Sequence, residues 1–365
     1  MLAREADQLV GGKAAYLVID DTALPKKGTL SVGVARQHCG QLGKRANCQS
    51  LVSLTLAQGE APLPVSLRLF LPDEWVADPV RCARAGVPEA EAMARAKGEI
   101  ALAELDRVAA AGVRFGCVLA DAGYGTSAAF RNALDERGLA WAVGIARNQK
   151  VYGPDVQLVL PTGRARRLVP DQEPQAADEM LAALPWRRVT WRQGAKGKLT
   201  ARFAATRIRV ADGAAWGNNR HLPGRDAWLA GEWRSSGERK HYLANLPPRT
   251  SVRALAAAIK ARWVCEQAHQ QLKGELGLGH FEGRSWTGLH RHALMACIAY
   301  AYLQRLRLAG QNRTGPGENA PHVPRPPPSP SLPAIRRAIM AKLFAPTAPP
   351  VQCPCCQHRF QPPPS

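Results

Sequence analysis

The sequence lacks the features that would place a protein in or across a membrane. It has no apolar run close to the roughly 18 residues that a membrane-spanning helix requires. It also does not begin with a charged stretch followed by an apolar one, as a secretory signal would. Its nine cysteines are an odd number and are scattered, which does not suit a disulfide framework. We therefore expect a cytoplasmic protein with reduced thiols and no membrane partner.

Acidic residues are also scarce relative to basic ones. The chain has 49 Lys and Arg against 29 Asp and Glu, which gives a formal net charge of +20. An excess of this size predicts a polyanionic partner, and we expect nucleic acid rather than a membrane surface or a small-molecule substrate.

The order of apolar runs predicts an α/β fold. Buried strands are expected at Ala14–Thr22 and Val113–Ala120, with a meander of strands between them and a helix over Pro88–Gly112. A further helix, capped by Thr126 or Ser127, and a strand at Leu139–Ile145 follow. This alternation predicts a mixed sheet with flanking helices.

Changes in composition suggest five segments. Residues 149–246 contain short β-like pieces and five of the nine tryptophans, so we expect a β-rich insertion that interrupts the α/β core. The predicted divisions are an N-terminal remnant (1–13), the first part of the core (14–148), the insertion (149–246), the second part of the core (247–311), and a Pro-rich linker with a Cys-containing tail (312–365).

One predicted helix, capped by Thr250 or Ser251, carries an unusual polar face. At about 100° per residue, Arg262, Glu266, His269 and Lys273 fall within roughly 60° of one another. An apolar stripe on another face should pack against the core; it comprises Ala254, Ala257, Ala261, Val264, Ala268, Leu272 and Leu276. A carboxylate among cations suits a site where metal and phosphate meet, although the same pattern also suits a solvated helix face.

Acidic residues upstream favour the first interpretation. Asp20 and Asp21 are predicted to end the first strand, and Asp121 to end the later buried strand. Ligands in open α/β sheets collect at the carboxyl ends of strands, and carboxylate oxygens suit hard divalent cations. Because consecutive strand residues face opposite sides, we expect only one of Asp20 and Asp21 to coordinate. Turn capping is the alternative role for these acids.

These motifs resemble bacterial insertion-sequence transposases of the D-D-E class, whose catalytic core is RNase H-like. One branch carries the signature Y-x2-R-x3-E-x6-K, and Arg262, Glu266 and Lys273 reproduce its last three positions, whereas Ile259 replaces the tyrosine. The strand-end motif of the family is matched by IDDT, in which Asp21 precedes the threonine, and VLAD supplies Asp121. PKKG, ADAGYG and GHFEGRSWTGLHRH resemble one subgroup of these enzymes.

The resemblance implies a mechanism and a set of site residues. Asp21, Asp121 and Glu266 would hold two Mg²⁺ ions, for which Mn²⁺ can substitute, and Arg262 and Lys273 would contact DNA phosphates. The activity would be hydrolysis at a transposon end followed by strand transfer into target DNA. A homodimer would pair two ends, and the protein would be associated with the nucleoid.

Two alternatives remain open at this stage. Because only about twenty residues precede Asp21, whereas family members carry a longer N-terminal region, the chain can also be interpreted as a truncated copy. It would then be an inactive or decayed DNA-binding derivative. An RNase H-like nuclease would use the same three acids, but the tryptophan-bearing insertion disfavours it. The tail cluster of Cys353, Cys355, Cys356 and His358 is interpreted as a redox-sensitive tail rather than a complete zinc site.

Overall fold

The computed structural model describes residues 2–161, 167–194, 197–217, 220–311, 330–344, 351–352 and 359–360. Most of the predicted Pro-rich linker and the tail cluster around Cys353 lie outside these residues. No helix in the described part of the chain is long and apolar enough to cross a membrane.

The helices alternate with strands in the first half of the chain and dominate the end of it. They are α1 (Leu2–Val10), α2 (Asp73–Val76), α3 (Pro79–Arg84), α4 (Lys97–Ala110), α5 (Ala122–Gly125), α6 (Ala128–Glu136), α7 (Ala177–Ala182), α8 (Val252–Ala261), α9 (Trp263–Leu276), α10 (Trp286–Gln311) and α11 (Leu332–Leu343). Two short 3₁₀ turns are Glu89–Glu91 and Leu278–His280.

The strands follow the same chain order. They are β1 (Tyr16–Pro25), β2 (Ala35–Cys39), β3 (Lys44–Gln58), β4 (Ala61–Leu69), β5 (Cys117–Ala120), β6 (Trp141–Ile145), β7 (Lys150–Tyr152), β8 (Leu158–Val159), β9 (Val169–Pro170), β10 (Gln175–Ala176), β11 (Arg187–Gly194), β12 (Gly197–Val210), β13 (Ala215–Gly217), β14 (Arg220–His221), β15 (Asp226–Trp233), β16 (Arg239–Ala244), β17 (Val351–Gln352) and β18 (Arg359–Phe360).

A mixed sheet with flanking helices confirms the predicted α/β fold class. β4, β3 and β1 form an antiparallel meander, and β5 and β6 continue it with both strands parallel to β1. β2 forms a hairpin with the first half of β3. The parallel strands are connected by helices, as a crossover between parallel neighbours requires.

The strands of segment 149–246 extend this same sheet. β16 pairs with β6 in antiparallel fashion, and β15, β12, β7 and β10 follow in that order. β11 pairs with the first part of β12, on the same edge of that strand as β7. In the described residues the result is one 12-stranded sheet, besides three two-stranded ones. The β-rich character predicted for this segment is therefore present. The domain boundaries remain a prediction.

Helices cover both faces of the central strands. On one face Val18 and Leu119 pack with Leu255 and Ile259 of α8. On the other face Leu17, Ile19 and Val118 belong to the main core, which they share with Ile100 and Leu105 of α4 and with Phe130 and Leu134 of α6. Because β1 residues alternate between these faces, Asp20 follows Val18 toward α8 and α9, whereas Asp21 follows Ile19 toward α4.

Two predicted elements differ from the observed ones. The helix predicted over Pro88–Gly112 begins only at Lys97, where the Glu99 carboxylate accepts a hydrogen bond from the Ala96 amide at 2.8 Å and caps the helix. The strand predicted to end at Thr22 continues to Pro25, because β3 pairs with it along its whole length. Asp20 and Asp21 therefore lie within a strand and do not end it.

The helix predicted to carry Glu266 is interrupted. Ser251 caps α8, with its hydroxyl accepting from the Ala254 amide at 3.2 Å, but the helix ends at Ala261 and α9 starts at Trp263. The predicted apolar stripe holds in α9, where Val264, Ala268 and Leu272 are buried. It is wrong in α8, whose buried residues are Leu255, Ala256, Ala258 and Ile259. Because the chain breaks between α8 and α9, the 100° spacing of a single helix does not relate their side chains. In addition, α8 packs against β11.

Candidate active site

The acidic residues meet where the parallel pairing of β1 and β5 stops. The last paired positions are Ile19 and Ala120, so the next residues along the two strands are Asp20 and Asp121. Beyond this point β1 loses its neighbour on that side, and a cavity of about 890 Å³ opens. Its lining includes the four acids Asp20, Asp21, Asp121 and Glu266.

The turn after Asp121 is held by a close approach to β6. The Asp121 carboxylate accepts from the Gly123 amide at 2.9 Å and begins the short helix α5. A side chain at Gly125 would lie 2.2 Å from the Gly144 carbonyl oxygen, and one at Gly144 would lie 2.8 Å from the Ala122 amide nitrogen. Both glycines therefore allow the turn to press against the sheet, which accounts for glycine in the sequence ADAGYG.

Arg262 connects the sheet to the helix that carries Glu266. Its guanidinium donates to the Asp20 carboxylate at 2.5 Å and to the Glu266 carboxylate at 2.5 Å. The side chain of Glu266 is 59% exposed, whereas that of Asp20 is only 12% exposed. Arg262 thus lies between two of the acids and neutralises part of their charge.

Asp21 is held by different partners on the other face of the strand. Lys97, at the start of α4, donates to its carboxylate at 2.5 Å and to the Ser50 hydroxyl at 2.9 Å. The Tyr124 hydroxyl donates to the second carboxylate oxygen of Asp21. The sequence expectation that Asp20 and Asp21 have different surroundings agrees with this geometry. Which of the two would bind a metal remains a prediction.

Burial and neighbouring charges perturb the titration of this cluster. Burial raises the pKa of Asp20 to about 7, and the nearby Asp121 carboxylate adds to the effect, against the opposing influence of Arg262. Burial also raises the pKa of Tyr124 well above its ordinary value, and the neighbouring Asp21 carboxylate acts in the same direction. Asp20 is therefore a buried carboxyl group with too little positive charge around it.

The inner side of α9 is less polar and more enclosed than the sequence suggested. His269, predicted to share the polar face, is buried, and its Nε2 lies 2.8 Å from the Ser53 hydroxyl and 3.6 Å from the Cys265 sulfur. Burial lowers the pKa of His269 to about 3 and raises that of Cys265 to about 12. At neutral pH this pair is therefore an uncharged imidazole and a thiol.

The predicted acids share a cavity but do not form a tight cluster. Among the described residues, the group of His, Cys, Asp and Glu whose ligand atoms all lie within 4.8 Å of one another is Asp20, Cys265 and His269. Asp21, Asp121 and Glu266 do not form such a group. Lys97 holds Asp21, Arg262 holds Glu266 and the Gly123 amide holds Asp121, so each carboxylate has its own partner, and like charges repel. Carboxylate oxygens facing a shared cavity remain a donor set that suits Mg²⁺.

A second, basic groove adjoins the cavity and shares Asp121, Arg262 and Glu266 with it. Its cationic side chains come from β16, from α8 and from the residues that follow β6, β15 and α8; they are Arg147, Arg234, Arg239, Lys240, Lys260 and Arg262. Ile259 also lines the groove, at the position where the family signature has tyrosine. Lys273 lines the acidic cavity, and burial lowers its pKa.

Sequence reasoning found the acids but missed most of their surroundings. The sequence does not indicate Lys97, Ser53 or the groove cations Arg234, Arg239 and Lys240, because each is distant in sequence from the acids and lies in no motif. Tyr124 belongs to the ADAGYG segment that resembles the transposase subgroup, and this resemblance is the sequence feature that points to its place beside Asp21.

Comparison with known proteins agrees with the resemblance seen in the motifs. The family model described as DDE superfamily endonuclease matches residues 1–198. A probable transposase for insertion sequence element IS701 from Microchaete diplosiphon is 31% identical over 145 residues, which is 40% of this chain and 35% of that protein. The matched region thus spans about a third of the relative.

Solved structures give only distant likenesses. A piggyBac transposase in a synaptic complex with hairpin DNA has a TM-score of 0.44 at 10% identity, covering 91% of this chain and 52% of that one. The NurA nuclease from Sulfolobus solfataricus has a TM-score of 0.28 at 9% identity, covering 84% and 85%. The family model spans more than half of the chain, and the protein belongs to the DDE superfamily endonucleases.

Proposed function

We propose that this protein is an insertion-sequence transposase that cuts DNA at transposon ends and transfers the freed strand into target DNA. The observation that supports this best is the cavity at the end of β5, where acids from three separate parts of the chain meet beside a basic groove. A polyanionic substrate can bind through the groove while one phosphodiester reaches the carboxylates.

The donor set favours Mg²⁺ as the metal, with Mn²⁺ as a substitute. Asp21, Asp121 and Glu266 would hold it, in line with the resemblance. Asp20 is a further candidate because it shares the ion pair of Arg262 with Glu266. When bound, a pair of such ions would activate the attacking oxygen and stabilise the leaving one.

The remaining residues would position the acids and the substrate. Lys97 and Tyr124 each hold one of the two carboxylate oxygens of Asp21, which limits its rotation. Arg262 already donates to Asp20 and Glu266, so it would contact a phosphate through its remaining N–H groups or in place of one of these acids. Lys273 lines the same cavity and would act as a point charge toward phosphate.

The groove would carry the DNA away from the cavity. Arg147 is exposed at its rim, and Arg239 stacks on Trp233 with its guanidinium carbon 4.6 Å from the ring centroid. Planar guanidinium groups suit phosphate recognition, and such contacts release counterions. We further propose that two copies pair two transposon ends and that the protein associates with the nucleoid through this basic surface.

The decisive experiment is DNA cleavage by the purified full-length protein. Labelled DNA with candidate inverted repeats is incubated with and without Mg²⁺, and nicked and strand-transfer products are resolved on denaturing gels. We expect Mg²⁺-dependent cutting that Asp121→Asn and Glu266→Gln abolish. Glu275→Gln is the matched control, because Glu275 lies on α9 but pairs with Arg336 at 3.2 Å and does not line the cavity.

The same assay separates the alternatives. Salt-sensitive DNA binding with no cutting at any divalent-ion concentration would indicate an inactive DNA-binding derivative. Cutting of an RNA–DNA hybrid in preference to DNA would indicate an RNase H-like nuclease. Cutting that survives in both Asp121→Asn and Glu266→Gln would contradict the proposed site. Asp20→Asn and Asp21→Asn, compared side by side, identify the aspartate on which cleavage depends.

A further inference from the structure

Three buried side chains beside the carboxylate cavity offer sulfur, nitrogen and oxygen to a common point. They are the Cys265 thiol, the His269 imidazole and the Asp20 carboxylate, whose ligand atoms all lie within 4.8 Å of one another. All three residues are buried, with exposed fractions of 0%, 7% and 9% respectively. Such a mixed set differs from the all-oxygen set that Mg²⁺ prefers.

The helix provides the geometry of the first two ligands. Cys265 and His269 are four residues apart on α9, so their side chains lie on the same helical face. Their Sγ and Nε2 atoms are 3.6 Å apart. A tetrahedral Zn²⁺ with a Zn–S distance of about 2.3 Å and a Zn–N distance of about 2.05 Å places sulfur and nitrogen about 3.6 Å apart. The observed separation therefore needs no rearrangement.

The third ligand comes from the sheet, and the cavity gives access. Asp20 lies opposite Ser53 in the β1–β3 register, and the Ser53 hydroxyl is 2.8 Å from His269 Nε2. Asp20 and His269 both line the cavity, so an ion entering it meets two of the three ligands directly. A water would take the fourth position of a tetrahedral site.

We propose that Asp20, Cys265 and His269 form a site for a soft divalent cation, Zn²⁺, and that filling it inhibits the carboxylate cavity. A bound Zn²⁺ takes the Asp20 carboxylate away from Arg262, and the thiol proton leaves to solvent. Arg262 then keeps only Glu266 as a partner, which alters the charge balance of the cavity. The binding part stands on its own; the inhibitory part rests on the proposed function.

Cobalt binding tests the first part directly. The full-length chain with Cys353, Cys355 and Cys356 replaced by Ser serves as the background, because the tail thiols would otherwise bind the probe. Titration with Co²⁺ should give a thiolate-to-cobalt charge-transfer band with one equivalent bound, and Zn²⁺ but not excess Mg²⁺ should abolish it. Absence of the band in this background would overturn the proposal.

Ligand variants locate the site. Cys265→Ser, which retains a hydrogen-bonding group beside Thr55, should abolish the band, and His269→Gln should weaken Zn²⁺ binding by at least about 100-fold, the upper range for loss of an outer-shell partner. Cys297→Ser is the matched control, since Cys297 is a buried cysteine on α10 outside the group. A band that persists unchanged in Cys265→Ser would refute the assignment. Zn²⁺-induced shifts in melting temperature provide a second readout with the same expected pattern.

Cleavage tests the inhibitory part. At a Zn²⁺ concentration that fills the site, Mg²⁺-dependent cutting by the background protein should fall, and Cys265→Ser should resist this loss. Equal inhibition of both would mean that Zn²⁺ acts at the carboxylates instead, which overturns this part. A protein that binds cobalt through Cys265 but never cuts DNA would contradict the proposed function and leave the metal site in place.

Discussion

Two buried carboxylates on opposite sides of the sheet have opposite properties. Glu104 of α4 accepts hydrogen bonds from Ser66, Arg68 and Arg107. Although burial opposes ionisation, these bonds lower its pKa to about 2. Asp20 is similarly buried but has Arg262 as its cationic partner and acids nearby, and its pKa is raised to about 7.

The difference shows which cluster is complete. Around Glu104 the protein supplies enough donors to stabilise the charge, so the cluster holds α4 against β4 and needs nothing further. Around Asp20 the negative charge of several acids exceeds what Arg262 and Lys97 supply. A buried group of acids with too few cations destabilises the folded protein. A divalent cation would supply the missing positive charge.

The largest expected effect is on cleavage. Glu266→Gln or Asp121→Asn should lower the cleavage rate by at least about 10²–10³-fold, the effect of losing one preorganised transition-state group. The melting temperature should stay within a degree or two of the wild type, on the order of 0.5 kcal/mol for a substitution away from the core. A rate loss matched by a large fall in melting temperature would indicate a structural role for these acids.

The Glu104 cluster should respond in the reverse manner. Glu104→Gln should reduce the free energy of unfolding at pH 7 by about 2 kcal/mol, because the buried cluster loses the charge-assisted hydrogen bonds from Ser66, Arg68 and Arg107. DNA binding per folded molecule should not change. Urea denaturation measures the effect, with exposed Glu136→Gln on α6 as the control. A change below about 1 kcal/mol, the usual value of an exposed pair, would contradict the comparison.

The two clusters should also differ in their response to pH. The native pKa of Glu104 is depressed to about 2, so its stabilising contribution is present above the unfolded pKa of about 4.3 and is lost as the pH falls toward 2. Unfolding curves of the wild type and Glu104→Gln should therefore converge as the pH falls from 5 to 2. If the difference between them stays constant over that range, the charge of Glu104 is not what stabilises the protein.

At Asp20 the sign is opposite. Its native pKa is raised to about 7, so ionisation disfavours the folded state and stability falls as the pH rises from about 4 to 7. Asp20→Asn should therefore raise the melting temperature at pH 8 without divalent ions. If Asp20 contributes to metal binding, Mg²⁺ should stabilise the wild type more than this variant. A variant less stable than the wild type at pH 8 would contradict the interpretation.

The smallest effect should come from single groove cations. Lys240→Gln or Arg147→Gln should weaken DNA binding a few-fold and reduce the slope of log affinity against log salt by about 0.9 per lost phosphate contact. Arg249→Gln is the control, because Arg249 is exposed but does not line the groove. Fluorescence anisotropy at several salt concentrations measures both quantities. Equal effects of all three changes would mean that DNA does not follow this groove.

Local sequence patterns predicted much of the fold. The apolar runs before Asp20 and Asp121 identified β1 and β5. Helix caps were predicted at Thr126 or Ser127 and at Thr250 or Ser251, and the structure has the serine in both places. Such features depend on neighbours within a few residues, and propensity and periodicity describe them well. The prediction of the buried face of α8 was wrong because the helix is interrupted at Arg262.

Contacts between distant segments were not predictable in the same way. No local pattern indicates that Lys97 contacts Asp21, or that Cys265 and His269 lie beside Asp20, since these partners are separated by 76 or more residues. The extension of the core sheet by β16 likewise depends on backbone pairing with β6, which any β-forming sequence can make.

The sequence by itself determined the basic charge, the alternation of elements and the spacing of the acidic motifs, because these are properties of the chain and its local conformational preferences. Only the tertiary structure decided which aspartate faces α9, how each acid is neutralised and where the basic groove runs. Those outcomes depend on strand register and on the burial of charges among partners from elsewhere in the chain, and both are fixed only when the sheet and helices pack together.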